Sequence, residues 1–496
     1  MSELVLNDND KKELPSGWKL TMIGDIVSLI NGRAFKPEDW SNNGLPIVRI
    51  QNLNDPDKPF NYCNFEVDEK FLIDNGQLLF AWSGTPGTSF GTFIWNRGKA
   101  VLNQHIFRIE INEKFQDKKY LLYAINQNLD KYISKAHGTA GLAHITKGMF
   151  EEGQILLPPL NEQKKIVTKI EELFSLIDSM QQLLKNIKNQ LKQQQQSLLK
   201  QAFEGKLVPQ DPNDKPNTMF LEKIKYKQSS KSKKQADLNT SESILGKNNE
   251  NRLPNNWIST TIDHIIASEK NSLKRGPFGS TIRKEFFVTS GFKIYEQKNV
   301  IYNDFSLGNY FIEKEKFMEL KNFVINSGDI LISCAGTIGK IAVVPEHIQK
   351  GIINQALLKI RLDPNLVVTK YFLYLFGSNP IQKRILHDAR GSAMKNFASI
   401  KELKQIKFPL PPLNEQKRIV TKIEESLSLI EKNDKLVGLL SFQITSIKKS
   451  ILRQAFEGKL VPQDPNDEPA EILLQKIRQE KQKIISQTKR GKKNDK

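Results

Sequence analysis

From Ile166 the apolar positions fall at Ile166, Ile170, Leu173, Ile177, Met180, Leu184, Ile187, Leu191 and Leu198, alternately four and three residues apart, with Gln194 as the one interruption. That spacing is a heptad seam, the pattern of a helix that coils against another helix. It returns at Ile419, Ile423, Ile430, Val437, Leu440, Ile444, Ile447 and Ile451, broken at Ser426 and Asn433. Pro158-Pro159 and Pro411-Pro412 stop whatever precedes each rod, and Gly205 and Gly458 stand just beyond each end. A single amphipathic helix is explained by lying on a globule, whereas two long matched ones predict pairing with each other.

The regions before the rods read differently. Short strand-like runs (LPIVRI, QLLFAW, FKIYEQ, DILISC) are punctuated by Gly, Pro and Asn and followed by helical stretches, KKYLLYAINQNLDKYI and TKYFLYLFGSNPIQKRIL. The pattern predicts two α+β globules with substantial sheets. Lys223 to Asn251 is polar, rich in Ser, Lys and Asn, and reads as linker.

The chain repeats itself. QAFEGKLVPQDPND occurs at Gln201 to Asp214 and at Gln454 to Asp467, and LPPLNEQKKIVTKIEE at Leu157 recurs as LPPLNEQKRIVTKIEE at Leu410. Between Pro158 and Asp214 the copies align without a gap, matching at 14 of the first 15 positions, all of the last 14, and 7 of the 28 between. Upstream the match is looser: LPSGW answers LPNNW, Gly44, Ile47 and Asn52 answer Gly291, Ile294 and Asn299, GQLLFAWSGTPG answers GDILISCAGTIG, and NQHIFRI answers NQALLKI. A chain that repeats globule and rod can lay its rods antiparallel in a pseudo-twofold arrangement. Because the repeat ends are nearly identical, they are expected to face identical partners, through Asn161, Glu162, Gln163, Phe203 and Glu204, and through Asn414, Glu415, Gln416, Phe456 and Glu457.

Length and charge narrow the function. At 496 residues the chain exceeds one ordinary core. It has no apolar run long enough to cross a bilayer and no secretory signal at its start, so it is expected to be soluble and cytoplasmic. Two distant cysteines, Cys63 and Cys334, suggest neither a disulfide framework nor a structural zinc site. The net charge is +19, of which the segment Lys476 to Lys496 supplies +7. The remaining excess, spread over the rest of the chain, points to a polyanionic partner such as nucleic acid.

The motif LPPLNEQKxIVTKIEE, a long helix and QAFEGKLVPQDPND, present once after each of two dissimilar globules, resembles the specificity subunits of type I restriction-modification systems over nearly the whole chain. The resemblance implies two target-recognition domains, each reading one half of a bipartite DNA site. It also implies two shared helical regions that form the spacer and hold two methyltransferase subunits and the restriction/translocase subunits, with S-adenosylmethionine, ATP and magnesium on those partners. The expected boundaries are 14–157 and 253–410 for the recognition domains, 158–214 and 411–475 for the shared helical regions, 215–252 for the linker and 476–496 for a basic tail. The copies differ beyond the repeat, KPNTMF at Lys215 against EPAEIL at Glu468. Half-sites on one face of a duplex lie about 34–36 Å or multiples apart, and Ile166 to Leu198 as a helix spans about 50 Å. Rod length is therefore expected to set the gap between half-sites.

Base reading calls for Arg or Lys toward guanine and Asn or Gln toward adenine. Candidates near the Gly-rich loops of the first globule are Arg33, Arg49, Gln51, Asn52, Trp82 and Thr85, with His137, Thr139 and Lys147 further on. In the second they are Lys274, Arg275, Arg283, Gln297, Lys298, Thr337 and Lys340, then Arg390, Ser392, Lys395 and Asn396. Asn103-Gln104 and Asn354-Gln355 recur in both globules and are expected to hold the fold. The enzyme alternative, a self-contained nuclease or methyltransferase, finds little support. Pro56-Asp57 with Asp68-Glu69-Lys70 fits a loose nuclease pattern but has no counterpart in the second globule. GTIGK at Gly336 lacks the first Gly and the Ser/Thr of a phosphate loop, and LPPL is not the Asn/Asp-Pro-Pro-aromatic motif of adenine methyltransferases. The six histidines form no ligand cluster. A coiled-coil assembly protein without sequence preference is the second rival.

Overall fold

The computed structural model describes residues 14–85, 88–134, 143–214, 253–278, 281–388, 395–397 and 399–494. The chain divides into two compact units, Met1–Leu184 with Leu439–Lys496, and Lys185–Gly438. Each unit thus joins one globule to part of both rods, a division that cuts across the order of the sequence.

In the first unit an antiparallel sheet runs Ser28–Asn31, Ile106–Glu110, Gln77–Ala81, Gly91–Trp95. A second sheet runs Asn61–Cys63, Leu45–Val48, Ala100–Leu102, Leu72–Ile73, with Leu45–Val48 parallel to Ala100–Leu102. Val48, Leu79, Trp95, Leu102 and Ile106 from both sheets share one core. The second unit repeats the order: Leu273–Arg275, Leu357–Ile360, Ile330–Ser333, Ile341–Val343 in one sheet, and Phe311–Ile312, Phe292–Tyr295, Gly351–Ile353 in the other. The duplication read from loose sequence matches therefore extends to strand topology. The runs LPIVRI, QLLFAW, FKIYEQ and DILISC all supply strands.

Each globule closes with its first strand paired to its last, Lys19–Met22 with Gln154–Leu157 and Ile258–Thr261 with Lys407–Leu410. The last strand leads through Pro-Pro into a long helix, Leu160–Phe203 or Leu413–Phe456. In the first unit the start of the first long helix lies beside the end of the second. Asp178 pairs with Lys448 at 2.8 Å, and Asn161 donates to Asp467 at 2.8 Å. In the second unit the roles exchange: Leu199, Ala202 and Phe203 share a core with Ile419, Val420, Ile423 and Leu427. The pairing is antiparallel, as expected.

The seam is only half covered. Ile177, Leu184, Leu191, Val437, Ile444 and Ile451 are buried, one per turn pair, but Met180, Leu440 and Ile447 of the same pattern are exposed. Two helices shield one edge of each other and no more, so an apolar stripe wider than that edge stays in water.

Both rods end alike. Gly205 and Gly458 take left-handed φ of 70° and 68°, and Lys206 N–H and Lys459 N–H reach back to the carbonyls of Gln201 and Gln454 at 2.9 and 2.8 Å. This is a Schellman closure, which favours glycine. A Cβ there would also meet Pro254 at 2.3 Å or Pro15 at 2.5 Å. The C-terminal copy of QAFEGKLVPQDPND therefore packs on the N-terminal LPSGW, and the central copy on LPNNW.

Beyond the repeat, Ala470–Asn494 forms one helix, so the expected boundary between 475 and 476 falls inside a continuous element. Its first turns dock on the first globule: Ala470 N–H donates to Gly17 O at 2.8 Å, Arg478 pairs with Asp25 at 2.8 Å, and Leu473, Leu474 and Ile477 are buried. Among the described residues, no helix is long and apolar enough to cross a membrane.

Candidate nucleic-acid interface

Backbone hydrogen bonds draw the same four loops together in both units. In the first, Gly32 N–H reaches Ile106 O (3.2 Å), Asn103 N–H reaches Val48 O (3.1 Å) and Trp82 N–H reaches His105 O (3.2 Å). In the second, Gly276 reaches Leu357 O (2.9 Å), Asn354 reaches Tyr295 O (3.0 Å) and Cys334 reaches Ala356 O (2.7 Å). A Cβ at Gly32 or Gly276 would come within 2.1 or 1.8 Å of the carbonyl of Asn103 or Asn354, so these glycines are required by close approach. The frame is shared, and the side chains set in it are not. Arg49 stands where the second unit has Glu296, Gln51 where it has Lys298, Trp82 where it has Cys334 and His105 where it has Ala356.

In the first unit Arg33 lies over Phe65 (4.5 Å) and Phe35 (5.4 Å), and Arg49 over the exposed Trp40 (5.6 Å). Trp82 stacks on Phe107 at 5.6 Å and also faces His105 and His144. Burial, then the nearby His144 and Arg49, push the His105 imidazole toward its neutral form. Trp82 Nε1, Gln104 Oε1 and His105 Nδ1 are buried without a hydrogen-bond partner among the described residues. In the second unit Arg275 Nε and Gln297 Oε1 are in the same condition. Unpaired polar groups are costly unless something else satisfies them. Gln51, Thr85, Thr337 and Lys340 are open to solvent or nearly so, and Lys274 lies over Phe323 at 5.3 Å.

Not every candidate belongs there. Asn52 is a correction: it is 2% exposed, caps the turn by accepting from Arg49 N–H, and donates to Lys58 O and Pro59 O. Asn299 does the same with Glu296, Asp304 and Leu307. A side chain whose donors and acceptor are all spent on its own loop has nothing left for a base. Asn103 and Asn354 also serve the fold, accepting from His105 and Ala356 N–H. Lys147 and Arg283 pair with Glu151 and Glu285 on their own segments, and Lys298 with Glu296. Lys395 and Asn396 lie on the strand Lys395–Phe397, paired with Leu386–Asp388. His137, Thr139, Arg390 and Ser392 lie outside the described residues.

The repeat residues expected to face partners are corrected more broadly. Glu162, Gln163, Glu415 and Gln416 are at most 2% exposed. Gln163 accepts from Asp117 N–H and donates to Pro158 O, and Gln416 accepts from Val368 N–H and donates to Leu366 O and Pro411 O. Glu162 accepts from Trp18 Nε1 at 2.9 Å, and Glu415 from Gln210 Nε2 at 2.7 Å. Burial raises both carboxyl pKa values, an effect partly offset by the Trp and Gln donors. Phe203 packs edge-on to Tyr371 at 5.6 Å, and Phe456 meets Tyr120 at 5.6 Å. Asn161 is tied to Asp467, while Glu204 pairs with Lys206 and Glu457 with Lys459. Asn161 and Asn414 are exposed at the starts of their helices, so burial does not overturn the expectation for these two. The twin sequences are kept because each performs the same internal joint, rod to globule. What the repeat pattern did not reveal is the apolar face left uncovered on the helices: Leu176, Met180 and Leu183 on the first, Leu429, Leu436 and Phe442 on the second. The signal was present as leucines seven apart beside the seam.

No cluster of His, Cys, Asp and Glu able to hold a metal occurs among the described residues. The two globules share one topology, and their matching loops carry different polar side chains. A sequence profile of the type I restriction modification DNA specificity domain matches residues 15–189 and 279–437. The chain belongs to the family of type I restriction-modification specificity subunits, a DNA-recognition rather than catalytic component. It is 24% identical to the EcoBI specificity subunit of Escherichia coli, covering 96% of this chain and 94% of that one. It is likewise 24% identical to the StySPI specificity subunit of Salmonella potsdam, covering 95% and 97%. The fold is shared with the HsdS subunit from Thermoanaerobacter tengcongensis, at 17% identity and a TM-score of 0.55 over 90% of this chain and 98% of that one. A chain from a study of assembly and conformational transition in the type I R-M system matches with a TM-score of 0.61, at 17% identity over 90% and 100%.

Proposed function

We propose that each unit reads one half of a bipartite DNA site with the four loops gathered around Gly32 or Gly276, and that the two halves differ in sequence. One observation carries this reading: the three hydrogen bonds that gather the loops recur in both units, while the side chains set on those loops are exchanged. Arg33, Arg49, Gln51 and Trp82 face the first half-site; Arg275, Gln297, Thr337 and Lys340 face the second. Base-edge contacts from such residues specify sequence, and the general positive charge draws in the phosphates.

The uncovered apolar stripe on the long helices is the docking surface for two methyltransferase subunits. Leu176, Met180 and Leu183 recur at helical spacing, and apolar groups left in water in a row mark a protein contact. Modification and cleavage belong to those subunits and to the restriction subunits, which would hold S-adenosylmethionine, ATP and magnesium. The site of action is the cytoplasm. Selection of bound DNA from a random pool tests the reading: two unlike specified blocks around an unspecified spacer support it, and a pool without preference refutes it.

A further inference from the structure

Phe278 in the second unit is a large apolar side chain that the fold leaves 64% exposed. Several contacts nonetheless hold the residues on either side of it. Gly276, two residues before, is held against the Asn354 carbonyl, and Thr281 Oγ1 donates to the Phe278 carbonyl at 2.7 Å. The Arg275 guanidinium lies 5.2 Å from the ring and also reaches the Cys334 carbonyl at 3.5 Å. A phenyl ring is thus presented to solvent from the loop that the same Gly276 draws into the reading surface. Counted from the matching glycines, the first unit has Ala34 at this place. The ring is therefore no part of the shared frame; it belongs to what distinguishes one reader from the other.

A DNA groove offers an apolar ring little to match. Phosphates, sugars and base edges are polar, and the 5-methyl group of thymine is the one hydrocarbon group that varies with sequence in the major groove. We infer that Phe278 is a specificity determinant that packs on the 5-methyl group of a thymine in the half-site read by the second unit. The inference rests on the DNA-reading assignment above and narrows it. With Arg275 over one face, the ring edge and opposite face remain for the methyl group, and burying that methyl removes about one CH2-sized group from water.

The test uses the full chain assembled with its methyltransferase subunits, and duplexes carrying the sequence that the complex methylates. Each thymine of that site is replaced in turn by deoxyuridine, which deletes only the methyl group. One replacement, in the half read by the second unit, is expected to weaken binding about fourfold. Phe278→Ala should weaken binding to the thymine duplex by at least as much and be indifferent to that replacement. Phe278→Leu should restore part of the thymine preference. A Phe278→Ala complex as sensitive to deoxyuridine as the parent overturns the inference, and so does a parent complex insensitive at every thymine of that half. Failure of the parent to prefer its own site over random duplex would instead sink the DNA-reading assignment, so the two failures are distinct. The ring is exposed, so the variant folds as the parent does, and its unchanged melting curve is the control.

Discussion

Phe203→Ala separates two explanations for the duplicated QAFEG. Phe203 is 6% exposed, packs edge-on to Tyr371, and shares a core with Trp257, Leu358 and Ile419. Truncating a buried Phe costs about 3–5 kcal/mol, the edge-to-face pair included. At about 1.4 kcal/mol per decade, that multiplies the open population of the second unit by roughly 10² to 10³·⁵. A domain stable by about 5–15 kcal/mol stays folded but opens far more often. Amide hydrogen exchange reads the two units separately. Strands Ile330–Ser333 and Leu357–Ile360 should lose protection by that factor, while Gln77–Ala81 and Ile106–Glu110 in the first unit keep theirs. Phe456→Ala, whose ring meets Tyr120, should show the reverse pattern with a smaller change because the ring is half-buried. Unchanged exchange in both units, with assembly abolished, would refute the internal-joint explanation and return these residues to a partner surface.

Glu162 and Glu415 hold their protons to higher pH in the folded chain than the ordinary carboxyl value of 4.5, so stability from this source is present below 4.5 and is lost as pH rises through the folded pKa. Glu162→Gln with Glu415→Gln should flatten that slope and gain on the parent above pH 4.5, as read by denaturant melts from acid to neutral pH; parallel pH profiles would contradict the assignment. Leu176→Glu with Leu183→Glu adds charge to an exposed stripe, so melting should shift little while co-purification with the methyltransferase subunits is lost; intact assembly would remove the stripe as their docking surface. Gly276→Ala drives a methyl group into the Asn354 carbonyl, and the second half-site alone should lose recognition in a binding selection.

The antiparallel pairing of the rods was legible because the globule-and-rod unit is repeated, and the rods themselves because heptad spacing is a local signal that survives in one sequence. The strands QLLFAW and DILISC were legible for the same reason. Function of individual residues was not. Asn52 is a base-reading type near a Gly-rich loop, and only the hydrogen bonds to Lys58 and Pro59 show that its amide is spent. Identity between copies was ambiguous in kind: Glu162 and Gln163 are matched because two joints are built the same way, and sequence gives no means of telling a buried joint from a shared surface. Phe278 escaped notice because exposure of an aromatic side chain is a property of the fold. The helix that begins at Ala470 reads as a basic tail from its charges, and its docked apolar face (Leu473, Leu474, Ile477) is visible only against the first globule.

Mapping methylated bases across the host genome, with the parent chain and with Arg49→Ala, Gln51→Ala in its place, tests the two-reader claim most directly. The parent should yield one motif of two unlike blocks around a fixed unspecified gap, and the variant a motif relaxed in one block with the other block and the gap unchanged. A contiguous motif, or relaxation of both blocks together, would contradict it.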